Sequence, residues 1–259
     1  MLQDKSIVIV GGTSGIGITA AKAFLAEGAK IFAVGLETEE SKLLQSQYPN
    51  ELTFYYADAR EESTVGKAIE SCIALYGRFD GLYHVAGGSG RKFGDGPLHE
   101  MSLEGWEETF RLNLTSMMLS NRAAVTSFLK HRISGSILNL SSVLGSSPSP
   151  EYFTTHAYAT SKAAIGGFVK STAAYYAKYN IRINAIAPGL VESPMSKRAS
   201  ENEVIQNFIK TKQPLDGGRN GQAQDLVGAA IYFMSDYSKF TTGQLLKIDG
   251  GWSVSEGQY

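Results

Sequence analysis

Short runs rich in β-branched and aromatic residues alternate along this chain with segments of helical length, and that alternation restricts the fold more than any other feature. "SIVIV" precedes a segment of helical period at 15–27, "KIFAV" one at 39–47, "LTFYY" one at 61–76, and "FDGLYHV" a long helix through 106–131. "SGSILNL", a helix around 157–178, "IRINAIA", a helix around 222–235 and a last strand in "GQLLKI" complete the series. Strands joined by helix-length crossovers lie parallel, and the crossovers are right-handed. The pattern predicts an α/β doubly wound fold, a seven-stranded parallel sheet with helices on both faces. No Pro/Ser-rich linker, composition shift or repeat divides the chain, so residues 1–259 are read as a single domain.

Composition excludes several classes of partner. A formal net charge of -1, with acids and bases interspersed, creates no general field for nucleic acid or anionic lipid. The 43% hydrophobic content is ample for a buried core, but no apolar run reaches membrane length. The start "MLQDKSIVIVGG" is too short for a signal-peptide core, so a cytoplasmic location is expected. Cys72 has no partner for a disulfide, which suits a reducing compartment. His84, His99, His131 and His156 are widely spaced, and no metal site is expected.

The first strand runs into "GGTSGIG", with Gly11, Gly15 and Gly17 ahead of a helix. A tight strand-to-helix turn needs glycine where a Cβ would block a pyrophosphate, and the helix N-terminus offers free N–H groups and partial positive charge. This suits a dinucleotide held by Gly11, Thr13, Ser14, Gly15, Ile16 and Gly17. The end of the second strand, "FAVGLETEE", bears on which one. An acid there bonds the NAD ribose, and a base pairs with the extra phosphate of NADP. Gly35 and Leu36 occupy the strand end, followed by Glu37, with Glu39 and Glu40 close in sequence and no base at the usual place. Charge alone therefore favours NAD(H) over NADP(H).

Further on, "HAYATSK" places Tyr158 and Lys162 four residues apart, on one face if the segment is helical. Such a pair is also common on solvated helices, so the spacing by itself does not establish chemistry.

Motifs in the right order, spanning nearly the whole chain, resemble those of the short-chain dehydrogenase/reductase family, whose fold is Rossmann-like. "GGTSGIG" looks like its cofactor turn, and Asp58, followed by Ala59 in "YYADAR", matches the acid that contacts the adenine. "HVAGG", with Ala86 and Gly87, matches its Asn-Asn-Ala-Gly segment. Asn113 in "RLNLTS" matches the asparagine of its proton relay, Ser142 in "NLSSVLG" its catalytic serine, and Tyr158 and Lys162 its Tyr-x-x-x-Lys. "APGLVESPM" resembles the Pro-Gly segment beside the nicotinamide, with Pro188 and Gly189, and Val191 and Ser193 near the carboxamide; "IDGGW" resembles the usual C-terminal end.

The resemblance implies NAD(P)-dependent hydride transfer between the cofactor and a secondary alcohol or ketone. A tyrosine with an ordinary pKa near 10 is ionised at pH 7 in roughly one molecule in a thousand, so a neighbouring cation is needed, and Lys162 is spaced to supply it. Ser142 would hold the substrate oxygen, Lys162 the ribose hydroxyls as well, and Asn113 a water joining the lysine to solvent. An NADPH-dependent 3-oxoacyl-[acyl-carrier-protein] reductase fits equally well, and a non-catalytic dinucleotide sensor or scaffold is the alternative of another class. The family resemblance also implies a homo-oligomer, tetramer or dimer, through the helices around 106–131 and 157–178 and the C-terminal segment.

Departures from the family pattern bear on local hydrogen bonding. Val10 stands for a threonine, and His84 with Val85 replaces the two asparagines. Tyr152 lacks a lysine four residues on, since position 156 is histidine, and His156 is expected on a first-turn surface. Trp106, Trp252 and "STAAYYAKYN" are read as core or subunit contacts. Substrate loops are expected near 88–98, with Arg91 and Lys92, near 143–157, longer than the family's by a few residues, and near 190–213, of which 194–213 forms a mobile flap carrying Lys197 and Arg198. These bases would favour an anionic substrate, although exposed Lys and Arg are commonplace on solvated loops.

Overall fold

In the computed structural model, which describes residues 1–258, each β-rich run is a strand of one parallel sheet. The strands are β1 (Ser6–Val10), β2 (Lys30–Gly35), β3 (Leu52–Tyr56), β4 (Gly81–His84), β5 (Gly135–Leu140), β6 (Ile181–Pro188) and β7 (Leu245–Ile248), ordered β3-β2-β1-β4-β5-β6-β7. Every adjacent pair is parallel. The order reverses between β1 and β4, so the crevice beyond their carboxyl ends is where this class of sheet binds ligands.

The helices among the described residues are α1 (Gly15–Ala26), α2 (Glu39–Gln47), α3 (Thr64–Tyr76), α4 (Leu103–Phe110), α5 (Ser116–His131), α6 (His156–Tyr176), α7 (Lys197–Ser200), α8 (Glu203–Lys212) and α9 (Val227–Met234). Side chains of a strand alternate between faces, and β1 shows the consequence. Ile7 and Ile9 join Ile18 and Phe24 of α1 and Phe233 of α9 in one core. Val8 and Val10 join Ile69 of α3, Phe128 of α5 and Val169 of α6 in the other. All these side chains are essentially inaccessible to water, and each contributes about 1.5–3 kcal/mol by its burial.

Three segments differ from expectation. The helix placed at 61–76 begins only at Thr64. The helix placed through 106–131 starts earlier and is interrupted: α4 passes through a π-helical turn at Arg111–Thr115, centred on Asn113, before α5 resumes. The flap at 194–213 is largely helical, α7 followed by α8. Ile205, Phe208 and Ile209 of α8 are buried in a third cluster with Trp252, which docks the segment on the C-terminal turn.

Candidate active site

The glycine-rich turn is shaped by close approach. Val10, where the family carries threonine, receives the N–H groups of both Val85 and Ala86 on its backbone carbonyl, so the β1–β4 junction closes without a side-chain hydroxyl. Gly11, at φ 84°, lies so near this junction that a Cβ would come 2.6 Å from the Ala86 nitrogen. A Cβ on Gly17 would run into the Gly11 carbonyl oxygen, whereas one on Gly15, at φ 51°, would meet no protein atom within 4 Å. The turn is thus packed beneath and open above, as a phosphate cradle must be. Thr13 is buried, its hydroxyl against Gly35, and Ser14 makes no side-chain cap to α1, leaving the helix N-terminus open.

A groove of about 620 Å³ runs over this turn. It is lined by Gly11, Thr13, Ser14, Gly15, Ile16, Leu36, Glu37, Asp58, Ala59, Ala86, Gly87 and Ser193. Those twelve positions were singled out from sequence, and a dinucleotide fits the donor set and the clearance. Gly17 lies beneath the turn rather than on the groove. Bases from α1 and α2 reach the acids at the β2 end and offset part of their charge. Lys42 pairs with Glu37 at 2.6 Å and Glu39 at 3.1 Å, and Lys22 with Glu40 at 2.7 Å. Asp58 is engaged by Arg60 through its Nε and Nη2 atoms, and those bonds hold its carboxyl below the usual range.

A second cavity, about 230 Å³, shares Ile16, Val85, Gly87, Leu140, Ser193 and Met195 with the groove and continues it. Ser142, Tyr158, Lys162, Pro188, Gly189 and Val191 line it. Ser142 lies two residues beyond β5 and caps the turn Val143–Gly145, its hydroxyl accepting from the Leu144 amide at 3.3 Å. Tyr158 and Lys162 lie on one face of α6, with Lys162 Nζ 5.5 Å from the phenol ring centre. Burial pushes the Tyr158 phenol above its ordinary value, and the Ser142 hydroxyl opposes that shift. Lys162 is 3% exposed and donates to the Leu140 carbonyl at 2.9 Å, and burial pulls its ammonium down to about 8. It therefore remains mostly protonated at pH 7.

Asn113 lines neither cavity. Its amide donates to the Gly88 and Thr109 carbonyls, each at 2.9 Å, and its Oδ1 accepts from the Gly88 N–H at 3.0 Å. The π-helical turn lets it reach across, and both of its donors are taken by backbone. The side chain therefore pins the loop after β4. His84 restores bracing where the family has asparagine, its Nε2 bonding the Ala86 carbonyl at 3.1 Å and its Nδ1 meeting Ser120 Oγ at 2.9 Å.

Asp95 was not singled out from sequence. It is 4% exposed and accepts the Ala157 and Tyr158 amides at 2.9 Å each, at the start of α6. No local signal marks it, since it lies in a glycine-rich stretch 63 residues before its partner. Trp252, expected as a core or subunit contact, is buried and also borders the cavity, with Nε1 on the Ser147 carbonyl at 3.0 Å. His156 is exposed at the first turn of α6. No group of histidine, cysteine and carboxylate side chains that could hold a metal occurs among the described residues. Nor is any helix there long and apolar enough to cross a membrane.

Residues 10–253 match the family model described as enoyl-(acyl carrier protein) reductase. The chain is 32% identical to 3-oxoacyl-[acyl-carrier-protein] reductase FabG of Chlamydia trachomatis, covering 97% of this chain and 98% of the relative. It is 28% identical to 2,5-dichloro-2,5-cyclohexadiene-1,4-diol dehydrogenase of Sphingobium indicum, covering 98% of each. A short-chain type dehydrogenase/reductase from Mycobacterium ulcerans superposes with a TM-score of 0.89 at 26% identity, over 98% of this chain and 92% of that one. The chain belongs to the short-chain dehydrogenase/reductase family of NAD(P)-dependent oxidoreductases.

Proposed function

We propose that this protein interconverts a secondary alcohol and a ketone, with Tyr158 as the acid/base group. One observation carries the reading: a buried lysine ammonium and a serine hydroxyl converge on a single phenol where the dinucleotide-shaped groove opens into the apolar cavity. A bound nicotinamide would supply the hydride acceptor or donor. Ser142 orients the substrate oxygen toward the phenol, and the Lys162 charge favours the phenolate. In the oxidising direction Tyr158 takes the hydroxyl proton as the carbinol carbon gives up hydride, and in the reducing direction it returns that proton to the carbonyl oxygen. The Pro188–Gly189 turn, Val191 and Ser193 bound the nicotinamide end, and Asp58 and Ala59 the adenine end. Asn113 keeps the Gly87–Gly88 wall in place beside Lys162.

NAD(H) is the preferred cofactor on this reading, because Glu37 faces the groove and can accept from a ribose hydroxyl, while Lys42 offsets only part of its repulsion of a second phosphate. The 32% identity to a 3-oxoacyl-[acyl-carrier-protein] reductase favours a second reading, reduction of a 3-oxoacyl thioester with NADPH. Thermal-shift titration with NAD(H) and NADP(H) separates the two, since the preferred form stabilises by mass action. A cytoplasmic homo-oligomer completes the proposal. Tyr158→Phe should abolish ketone reduction while leaving dinucleotide binding in place, and full activity in that variant would exclude Tyr158 as the acid/base group.

A further inference from the structure

Of the six lysines and arginines on the expected substrate loops, only Arg91 and Arg198 line the cavity of Ser142 and Tyr158. Lys92 lies over the Phe93 ring at 4.7 Å, and Lys197 pairs with Glu201 at 3.7 Å. Arg91, at the start of the turn Arg91–Phe93, and Arg198, on α7, both border the cavity. They come from segments more than a hundred residues apart. Arg198 is steadied by the 143–157 loop, donating from Nη2 to the Tyr152 carbonyl at 2.9 Å, with its guanidinium 5.9 Å from the Phe153 ring centre.

Neither guanidinium has a carboxylate within ion-pair range among the described residues. Asp95 is the acid whose field reaches Arg91, and both of its oxygens already accept backbone amides of α6. Burial and then the charge of Arg198 push Arg91 below its ordinary value, so the two cations act on each other across the site. The lining shared with them and the phenol includes the apolar side chains of Leu144, Phe153 and Met195. A neutral ketone would leave the repulsion unrelieved, whereas an oxyanion would accept guanidinium donors in a matched planar geometry.

We propose that this cavity selects keto and hydroxy acids, with an apolar middle section on Leu144, Phe153 and Met195 and a terminal carboxylate held by Arg91 and Arg198. The proposal rests on the assignment of this cavity as the substrate site. Its test keeps recognition separate from chemistry. The binding of 5-oxohexanoate, 6-oxoheptanoate and 7-oxooctanoate, each against its methyl ester, is measured calorimetrically on Tyr158→Phe protein saturated with dinucleotide.

At least one acid should bind about tenfold more tightly than its ester, a preference that shrinks as salt rises because both arginines are exposed. Arg91→Gln combined with Arg198→Gln should bring the acid-to-ester ratio close to one, and Lys197→Gln should preserve it. The same ratio read from kcat/KM in otherwise wild-type protein provides a second measurement should the Tyr158→Phe protein fold poorly. Equal affinity for acid and ester, a preference that survives the double substitution, or no binding of any acid would overturn the proposal. Undiminished turnover by Tyr158→Phe would instead overturn the assignment of the acid/base group and leave the carboxylate preference standing.

Discussion

Asp95 accepts the backbone N–H of Tyr158 on Oδ2 at 2.9 Å, and with Oδ1 it takes the preceding amide of Ala157 at the same distance. Thr155, at the N-cap position of α6, makes no side-chain cap of its own. A distant carboxylate therefore satisfies two of the N–H groups that a helix start leaves open, and its charge complements the helix dipole. Because the helix carries Tyr158 in its first turn, the same bonds set where the phenol sits.

Asp95→Asn keeps one acceptor but turns an NH₂ group toward the other amide. It should cost about 1–2 kcal/mol of stability, read from the urea midpoint. It should also lower kcat by a larger factor than it raises KM, because the phenol moves while the cavity persists. Unchanged kcat with lowered stability would confine Asp95 to holding the helix.

Glu37 lines the groove and is paired with Lys42 at 2.6 Å, so its charge is partly offset at the place where the two dinucleotides differ. Glu37→Gln removes the acid and leaves Lys42 held only by the exposed Glu39, a pair that a dinucleotide phosphate can compete with. The ratio of NADP(H) to NAD(H) affinity should rise about tenfold, on the order of one close charge contact at a solvated site. Titrations of both dinucleotides against both proteins give the ratio, and an unaltered value would take Glu37 out of cofactor discrimination.

The alternation of strands and helices and the glycine-rich turn were legible because their signals are local: period 2 against period 3.6, and glycine where backbone must approach backbone. Ser142, Tyr158 and Lys162 were found by motif, and their convergence on one wall needed the fold. The α8 helix had a local signal as well, Ile205, Phe208 and Ile209 at i, i+3 and i+4, which the polarity of its neighbours hid. Asp95 and the Lys42–Glu37 pair had none. Their partners are chosen by tertiary placement in one case and by the turn into α2 in the other. Counting acids along the chain therefore overstated the negative charge at the β2 end.

Gly17 bears on how the turn is built. A methyl there meets the Gly11 carbonyl oxygen and, at 2.7 Å, the Gly11 carbonyl carbon, both backbone atoms with no side-chain freedom to yield. Gly17→Ala should lower stability by about 1–3 kcal/mol through overpacking, and dinucleotide affinity should fall with it. Gly15→Ala meets no protein atom and is opposed only by its positive φ of 51°, a penalty of roughly 1 kcal/mol. Thermal melts with and without dinucleotide should therefore rank Gly17→Ala well below Gly15→Ala in the absence of ligand. The reverse order would mean that the turn relaxes around Gly17.

His84 gives the fold an acid-sensitive bond. It is 1% exposed, and burial followed by the nearby Lys162 charge pushes its imidazole down to about 3 from 6.5. Between those values the unfolded chain takes up a proton that the folded chain refuses, so stability is complete above pH 6.5 and is lost as pH falls toward 3. By pH 5 the loss from this one group is about 2 kcal/mol. His84→Asn has no ionising ring, so urea midpoints at pH 7 and pH 5 should show wild type losing about that much more than the variant. Acid titrations that fall in parallel would place the sensitivity in other groups and leave His84 only its hydrogen bonds to Ala86 and Ser120.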